Sequence, residues 1–331
     1  MIIAPGIIGL LTCLLFVNLT AIYASFNGIQ ILTGWNPGSG SEKQIRLEQK
    51  TYLVSTLLSF ALVCEVLALF LFIFTVDRLH PLFIGAMCAA GSLNANGFGY
   101  AALGIKALNV ILCGIWMILN YVDNRGYDYP LIRLKYGAVL FLTALLIAEA
   151  AFFVAYWMGL DPQIITSCCS TIFNEDAQTL AGEIAHLPSF QMTAAYYLHF
   201  GLVFAAGLYF FRTGKWGRIF SLASFTLFFT GLLAVISFIS LYYYQLPTHH
   251  CPFCLLQREY GFIGYPIYAS LFVAGIGGGS IGIIAAFRER ASIRCILPAI
   301  QKKLCLVSLF SHILFAGIAS YPIIFSDFQL Y

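Results

Sequence analysis

The sequence predicts an all-α membrane protein, a polytopic bundle of transmembrane helices. Of its 331 residues, 60% are hydrophobic and only 9% are charged, whereas soluble domains carry about 25% charged residues. Apolar runs of about 20 residues, enough to cross a hydrocarbon layer of about 30 Å, recur along the chain. We therefore expect one integral membrane domain over residues 1–331, in a lipid bilayer and with no nucleic-acid partner. The net charge of +3 is too small to say anything about nucleic acid by itself.

The apolar runs predict eight spans. The first run lacks a basic start and a small-residue cleavage site, so we expect it to remain as a helix. In the seventh, the stretch AGIGGGSIG places small residues at helical spacing, which favours close approach of two helices. The predicted spans cover residues 2–24, 51–75, 97–122, 136–158, 192–211, 219–244, 261–287 and 304–325.

Basic residues concentrate in alternate loops, which predicts the orientation of the spans. Because cytoplasmic loops carry an excess of lysine and arginine, we expect these loops inside and both termini outside. This favours the cytoplasmic membrane of a prokaryote, with Cys168, Cys169, Cys251 and Cys254 on the extracytoplasmic side. The basic residues are Lys43, Arg46, Lys50, Arg125, Arg133, Lys135, Arg212, Lys215, Arg218, Arg288, Arg290, Arg294, Lys302 and Lys303.

The segment 80–104, HPLFIGAMCAAGSLNANGFGYAALG, is too polar and glycine-rich at its centre to form one clean span. We expect a re-entrant segment near 80–96 that enters from outside, breaks at Gly91–Asn96 and continues into span three. Broken backbone at membrane depth needs protein or water to satisfy its polar groups, so this segment is a candidate site wall. A plain outer loop with a hydrophobic tip is the alternative.

Three charged residues lie within predicted spans: Glu65, Lys106 and Glu149. Counting about 1.5 Å per residue from the span ends brings them to a similar depth, so the three side chains are able to meet. An unpaired charge at such depth costs at least about 2.5 kcal/mol. The cluster therefore predicts a proton pathway or a polar pocket for a quinone head group, with Lys106 paired to one carboxylate. A structural ion pair, or carboxyls held neutral by a raised pKa, is the alternative.

His199 and His312 also fall within spans. Their predicted depths differ by about half the membrane, which disfavours a haem held by both imidazoles. We expect hydrogen-bonded polar histidines instead. A haem held by His199 with an outer-loop histidine stays an open alternative. We expect the cysteines away from the outer loops to be small buried residues. These are Cys13, Cys64, Cys113, Cys295 and Cys305. Cys88 is near the outer surface, and its role stays ambiguous.

The stretch THHCPFCLLQREYGF, residues 248–262, combines two histidines with a Cys-x-x-Cys motif between two apolar runs. At a helix start this motif brings two thiols within disulfide reach, and the helix N-terminus stabilises the first thiolate. Pro252 is compatible with a first turn. We therefore expect a redox-capable dithiol, Cys251 and Cys254, at the entrance of span seven.

The longer stretch SLYYYQLPTHHCPFCLLQREYGFIGYPIY, residues 240–268, resembles the disulfide bond formation protein B family, in which Cys-x-x-Cys-x-x-Gln-Arg or a related string opens a transmembrane helix. The resemblance implies that Cys251 and Cys254 form a quinone-coupled pair and that Arg258, with Gln257, lies beside the quinone. It also implies a second cysteine pair, on another outer loop, that receives electrons from an extracytoplasmic thiol protein. Cys168 and Cys169 fit that role.

On this basis the leading hypothesis is a membrane thiol-disulfide oxidoreductase that passes electrons to a quinone through mixed disulfides. Lys106, Glu149 and Glu65 would manage the protons. A second hypothesis is a subunit of a respiratory or electron-transfer complex, in which the outer disulfides only brace loops. A third is a protein that binds or transfers zinc or copper, because thiolates and imidazoles suit such ions. Its candidate ligands are His249, His250, Cys251 and Cys254, with Cys168, Cys169, His80 and His186 nearby.

Overall fold

The computed structural model describes residues 4–161, 163–166, 182–183 and 187–330. It confirms the predicted all-α polytopic architecture, because eight helices among these residues are long and apolar enough to cross a membrane. The helices, in chain order, are α1 (Pro5–Gly34), α2 (Glu42–Arg78), α3 (Ala89–Leu93), α4 (Gly99–Asp123), α5 (Ile132–Met158), α6 (Ser189–Thr213), α7 (Gly217–Ala234), α8 (Ser240–Tyr244), α9 (Gly264–Ala285) and α10 (Leu297–Phe325). The five-residue α3 spans nothing, and α7 continues through a π-helical turn into α8 as one span.

Several helices extend beyond the apolar runs from which they were predicted. Helix α1 continues to Gly34 rather than ending at residue 24, and α2 begins at Glu42 rather than at residue 51. Polar side chains are tolerated at these ends, because only the middle of a span must be apolar. Lys135, predicted as part of a basic loop, lies inside α5 and forms a fully buried ion pair with Asp123, with the charged atoms 2.6 Å apart.

The chain divides into two compact units. The first contains α1, most of α2, α4 and α5, and its apolar core is built from all four helices. Close approach of α1 to α5 depends on Gly28, where an added Cβ would lie 2.9 Å from the ring of Tyr136.

The second unit contains the last turn of α2, α3 and the helices from α6 onward. The small residues of α9 pack directly on α7, as the AGIGGGSIG stretch predicted. At Gly278 an added Cβ would lie 2.0 Å from the hydroxyl oxygen of Ser224. Two backbones that approach this closely exclude larger side chains, so the glycines set the spacing between these helices.

The irregular segment after α2 contains a break, as predicted, but the break begins three residues later. A short 3₁₀ turn, His80–Leu82, follows α2, and all five residues of α3 are buried. The chain then leaves helical geometry between Asn94 and Phe98 before α4 begins. The buried α3 thus brings Cys88, the residue just before it, into the protein interior.

Candidate thiol site and buried charge cluster

The Cys-x-x-Cys motif does not open a transmembrane helix, and this part of the prediction is wrong. Cys251 lies in irregular backbone, Cys254 begins a 3₁₀ turn that ends at Leu256, and α9 starts only at Gly264. Gln257 is extended, with φ −81° and ψ 160°, and interrupts the helical geometry. A helix N-terminus therefore does not act on the Cys251 thiol.

Hydrogen bonds from two tyrosines fix the backbone of the motif. The hydroxyl of Tyr244 donates to the carbonyl of Cys251 at 2.5 Å, and the hydroxyl of Tyr268 donates to the carbonyl of Pro252 at 2.9 Å. Because buried carbonyls need partners, these phenols satisfy groups that a regular helix would otherwise satisfy. The result is a defined loop that holds both cysteine side chains inward.

Cys88 joins the motif as a third thiol, although the sequence left its role ambiguous. Its sulfur lies 3.6 Å from that of Cys251, and the sulfurs of Cys88, Cys251 and Cys254 all lie within 4.8 Å of one another. All three residues are buried, the most exposed being Cys254 at 5%. These three thiols are called the thiol cluster below.

His249 adds an imidazole to the edge of the thiol cluster. Its Nε2 atom lies 3.5 Å from the sulfur of Cys254, and its ring packs edge-on against the ring of Tyr244, 4.7 Å between centroids. Burial lowers the pKa of His249 below its ordinary value, against the opposing influence of Cys88. The ring is therefore neutral near pH 7, which is the form that binds metal ions.

The carboxylate of Asp77 connects the two chain segments that carry the thiols. Its Oδ1 atom accepts a hydrogen bond from the backbone N–H of Ala89 at 3.0 Å and another from the side-chain amide of Gln257 at 3.2 Å. The same amide donates to the carbonyl of Met87 at 3.0 Å. Asp77 and Gln257 thus fix the residues that flank Cys88 and Cys254 in the sequence.

The remaining residues predicted for this site are distributed differently. Arg258 is exposed. The Nδ1–H of His250 donates to the carbonyl of Ile236 at 2.9 Å, and the Nδ1–H of His80 donates to the carbonyl of Asp77. Among the residues that the structure describes, neither histidine belongs to the thiol cluster. Cys168, Cys169 and His186 lie outside the described residues.

Glu65, Lys106 and Glu149 meet inside the first unit, as their predicted depths suggested. The ammonium nitrogen of Lys106 lies 2.7 Å from Oε1 of Glu65 and 2.6 Å from Oε1 of Glu149, and these side chains are at most 2% exposed. The amide of Asn109 donates to the second oxygen of Glu149 at 2.6 Å. We call these four residues the charge cluster.

The two intramembrane histidines hydrogen-bond to hydroxyl groups in the second unit. His199 contacts the hydroxyl oxygens of Thr230 at 3.1 Å and Thr226 at 3.3 Å. His312 contacts the hydroxyl oxygen of Ser224 at 2.9 Å through Nε2. Both side chains thus have a hydroxyl partner, although Nδ1 of His312 has none among the described residues. Ser224 and Thr226 are only two residues apart on α7, so the two histidines lie at a similar depth. The predicted depth difference of about half the membrane is therefore wrong.

Of the cysteines predicted as small buried residues, Cys113 and Cys305 are buried, and Cys13 and Cys64 are partly buried. Cys295 is exposed, so the prediction is wrong there. It lies just before the start of α10, where no neighbouring helix covers it among the described residues.

Comparison of the whole chain with family models, with curated proteins and with solved structures finds no match.

Proposed function

We propose that this integral membrane protein binds a thiophilic metal ion through Cys88, Cys251 and Cys254, with His249 as the fourth ligand. The basic-residue distribution supports a site on the extracytoplasmic side of a prokaryotic cytoplasmic membrane. The ion would join the connection between α2 and α4 to the connection between α8 and α9, two segments far apart in the sequence.

The spacing of the ligand atoms carries this proposal. Tetrahedral zinc with Zn–S bonds of about 2.3 Å places two sulfurs about 3.8 Å apart, and a sulfur and an imidazole nitrogen about 3.6 Å apart. The corresponding distances are 3.6 Å between Cys88 and Cys251 and 3.5 Å between Cys254 and His249. The three sulfurs lie within 4.8 Å of one another, so small side-chain movements would bring all three to bonding distance of one ion.

The chemistry of the surroundings supports the same proposal. Closed metal sites are buried and their ligands are deprotonated or neutral, and a neutral imidazole with three thiolates selects zinc or copper(I) over hard cations. Burial of the thiols restricts direct attack by a bulky partner protein, which a disulfide relay requires. The Asp77 and Gln257 contacts hold the ligand segments in place, a supporting shell of the kind that metal sites use.

Metal analysis of the purified full chain tests the proposal. We expect about one zinc or copper ion per chain in the wild type, as in closed sites of this ligand type. The Cys88→Ser, Cys251→Ser and Cys254→Ser variants lose that ion. Cys305→Ser is the matched control, because Cys305 is a buried cysteine of the same unit whose sulfur contacts the carbonyl of Gly207 instead. A wild-type protein without stoichiometric metal after growth in zinc and copper would overturn the proposal.

A quinone-linked thiol-disulfide oxidoreductase is the second candidate, and the 3.6 Å contact between Cys88 and Cys251 favours it. Two of the clustered thiols would lose two electrons and two protons and form one disulfide. A quinone would take up the two electrons and two protons and become a quinol. The resemblance around residues 240–268 implies roles for Arg258 beside the quinone and for Cys168 and Cys169 as the second pair. Thr166, the last described residue before that pair, donates its N–H to the carbonyl of Ile84 at 2.8 Å.

Thiol trapping distinguishes the two candidates. The redox candidate requires that a soluble quinone convert Cys251 to a disulfide with Cys254 or with Cys88 in protein free of metal. It also requires that Arg258→Ala slow this conversion. The metal candidate requires that alkylation of these thiols be slow until a chelator removes the ion. Slow alkylation without any bound metal contradicts the metal candidate.

A further inference from the structure

The charge cluster in the first unit is not electrically balanced. Glu65 and Glu149 each bring one negative charge, Lys106 brings one positive charge, and Asn109 brings none. The ammonium group contacts both carboxylates at 2.7 and 2.6 Å, so a single cation serves two anions. With both carboxyls ionised, the buried cluster carries one uncompensated negative charge among helices that are long and apolar enough to cross a membrane.

Other titratable groups near the cluster do not supply the missing positive charge. The thiols of Cys13 on α1 and Cys113 on α4 interact electrostatically with all three charged residues. A thiol is neutral or negative, never positive. Because an isolated buried charge is strongly unfavourable, the cluster must take up one further positive charge to be neutral.

We infer that the charge cluster binds one exchangeable proton, carried by the carboxyl group of Glu65 or of Glu149. The proton comes from water and returns to water, and its uptake changes the net charge of the cluster from minus one to zero. Proton binding at this position makes the first unit a candidate for proton-coupled function.

A buried acceptor atom beside Glu149 supports this inference independently of the charge count. Asn109 is fully buried, its amide nitrogen donates to Glu149, and its Oδ1 atom has no hydrogen-bond partner among the described residues. An unpartnered buried acceptor is unfavourable. The Asn109 amide nitrogen donates to Glu149 when that carboxyl is ionised. When Glu149 is protonated, rotation of the amide would let Oδ1 of Asn109 accept the carboxyl proton in a hydrogen bond.

The second buried ion pair of the same unit provides a contrast. Lys135 and Asp123 pair one to one at 2.6 Å, and both side chains are fully buried. This pair is neutral without an added proton, and Asp123 also accepts from the backbone N–H of Leu131 at 2.8 Å. We therefore assign it a structural role and use it as an internal control.

Infrared difference spectroscopy of the full chain in lipid vesicles tests the proton site, because a protonated buried carboxyl has its own carbonyl band. In the wild type we expect this band at neutral pH, its shift in heavy water and its loss in alkali. Both Glu65→Gln and Glu149→Gln are expected to abolish it, because each leaves one carboxylate paired with Lys106. Asp123→Asn and Glu42→Gln, the latter at an exposed carboxyl, should leave it unchanged.

Two results would overturn the inference. One is a wild-type protein without the band at neutral pH, including the case in which sodium or potassium ions occupy the cluster instead. The other is a band that persists in both glutamine variants. Lys106→Met gives a further check, because it leaves two carboxyls without a cation and is expected to double the band. The glutamine variants preserve side-chain shape, so the test does not depend on whether this third variant folds.

Discussion

Replacing Asp77 by alanine is expected to weaken metal binding at the thiol cluster without removing a ligand. Asp77 accepts hydrogen bonds from the N–H of Ala89, next to Cys88, and from the amide of Gln257, three residues after Cys254. Loss of the carboxylate frees both ligand-bearing segments to move. The metal ion then binds ligands that are no longer held at their bonding positions.

The size of the effect follows from these two contacts. A hydrogen bond to a charged group contributes about 1.5–3 kcal/mol. Asp77 is only partly buried, so water can replace one of the two partners in the variant. We therefore count the loss of about one bond, which corresponds to a 10- to 100-fold weaker affinity at about 1.4 kcal/mol per tenfold.

Competition titration with a chelator of known zinc affinity measures this change on the purified full chain. Asp77→Asn is the matched control, because an asparagine oxygen accepts the same two bonds, although more weakly, and should lower the affinity by less than about tenfold. If Asp77→Ala binds zinc as tightly as the wild type, the carboxylate does not position the ligands, and the reasoning is refuted.

Three further predictions concern stability and topology. Lys135→Met leaves a buried aspartate without its cation and should destabilise the protein by about 3–5 kcal/mol in a denaturation assay; an unchanged midpoint would contradict this. Gly278→Ala should cost about 1–3 kcal/mol, because its Cβ meets a serine hydroxyl of α7, whereas Gly104→Ala, which faces open space, should be tolerated. An impermeant maleimide should label the exposed Cys295 only after the cells are permeabilised, because its loop is predicted to be cytoplasmic. The same reagent should label the Gln329→Cys variant at that position in intact cells, because the C-terminus is predicted to be outside. The reverse pattern would contradict the predicted orientation.

Hydropathy alone predicts most of the fold, because a span needs about 20 apolar residues and few soluble structures tolerate them. The meeting of Glu65, Lys106 and Glu149 also follows from counting residues along straight helices. The ends of α1 and α2 were less predictable, because helices continue into polar sequence that hydropathy does not distinguish from a loop.

The thiol cluster could not be predicted from the sequence. Cys88 precedes Cys251 by 163 residues, and no local pattern connects the two. The available signal was the position of Cys88 beside a glycine-rich break in an apolar segment. The helix predicted at Cys251 does not form there, because the amide of Gln257 bonds to Asp77 and Met87, contacts that the local sequence does not indicate.

X-ray absorption spectroscopy of the zinc-loaded full chain tests most directly whether the three thiols and His249 form one metal site. We predict about three sulfur ligands near 2.3 Å and one nitrogen ligand near 2.0 Å. In the Cys88→Ser variant one sulfur should disappear from this shell, while Cys305→Ser leaves it intact. A shell of oxygen and nitrogen atoms only, or one that Cys88→Ser does not alter, would contradict the proposed site.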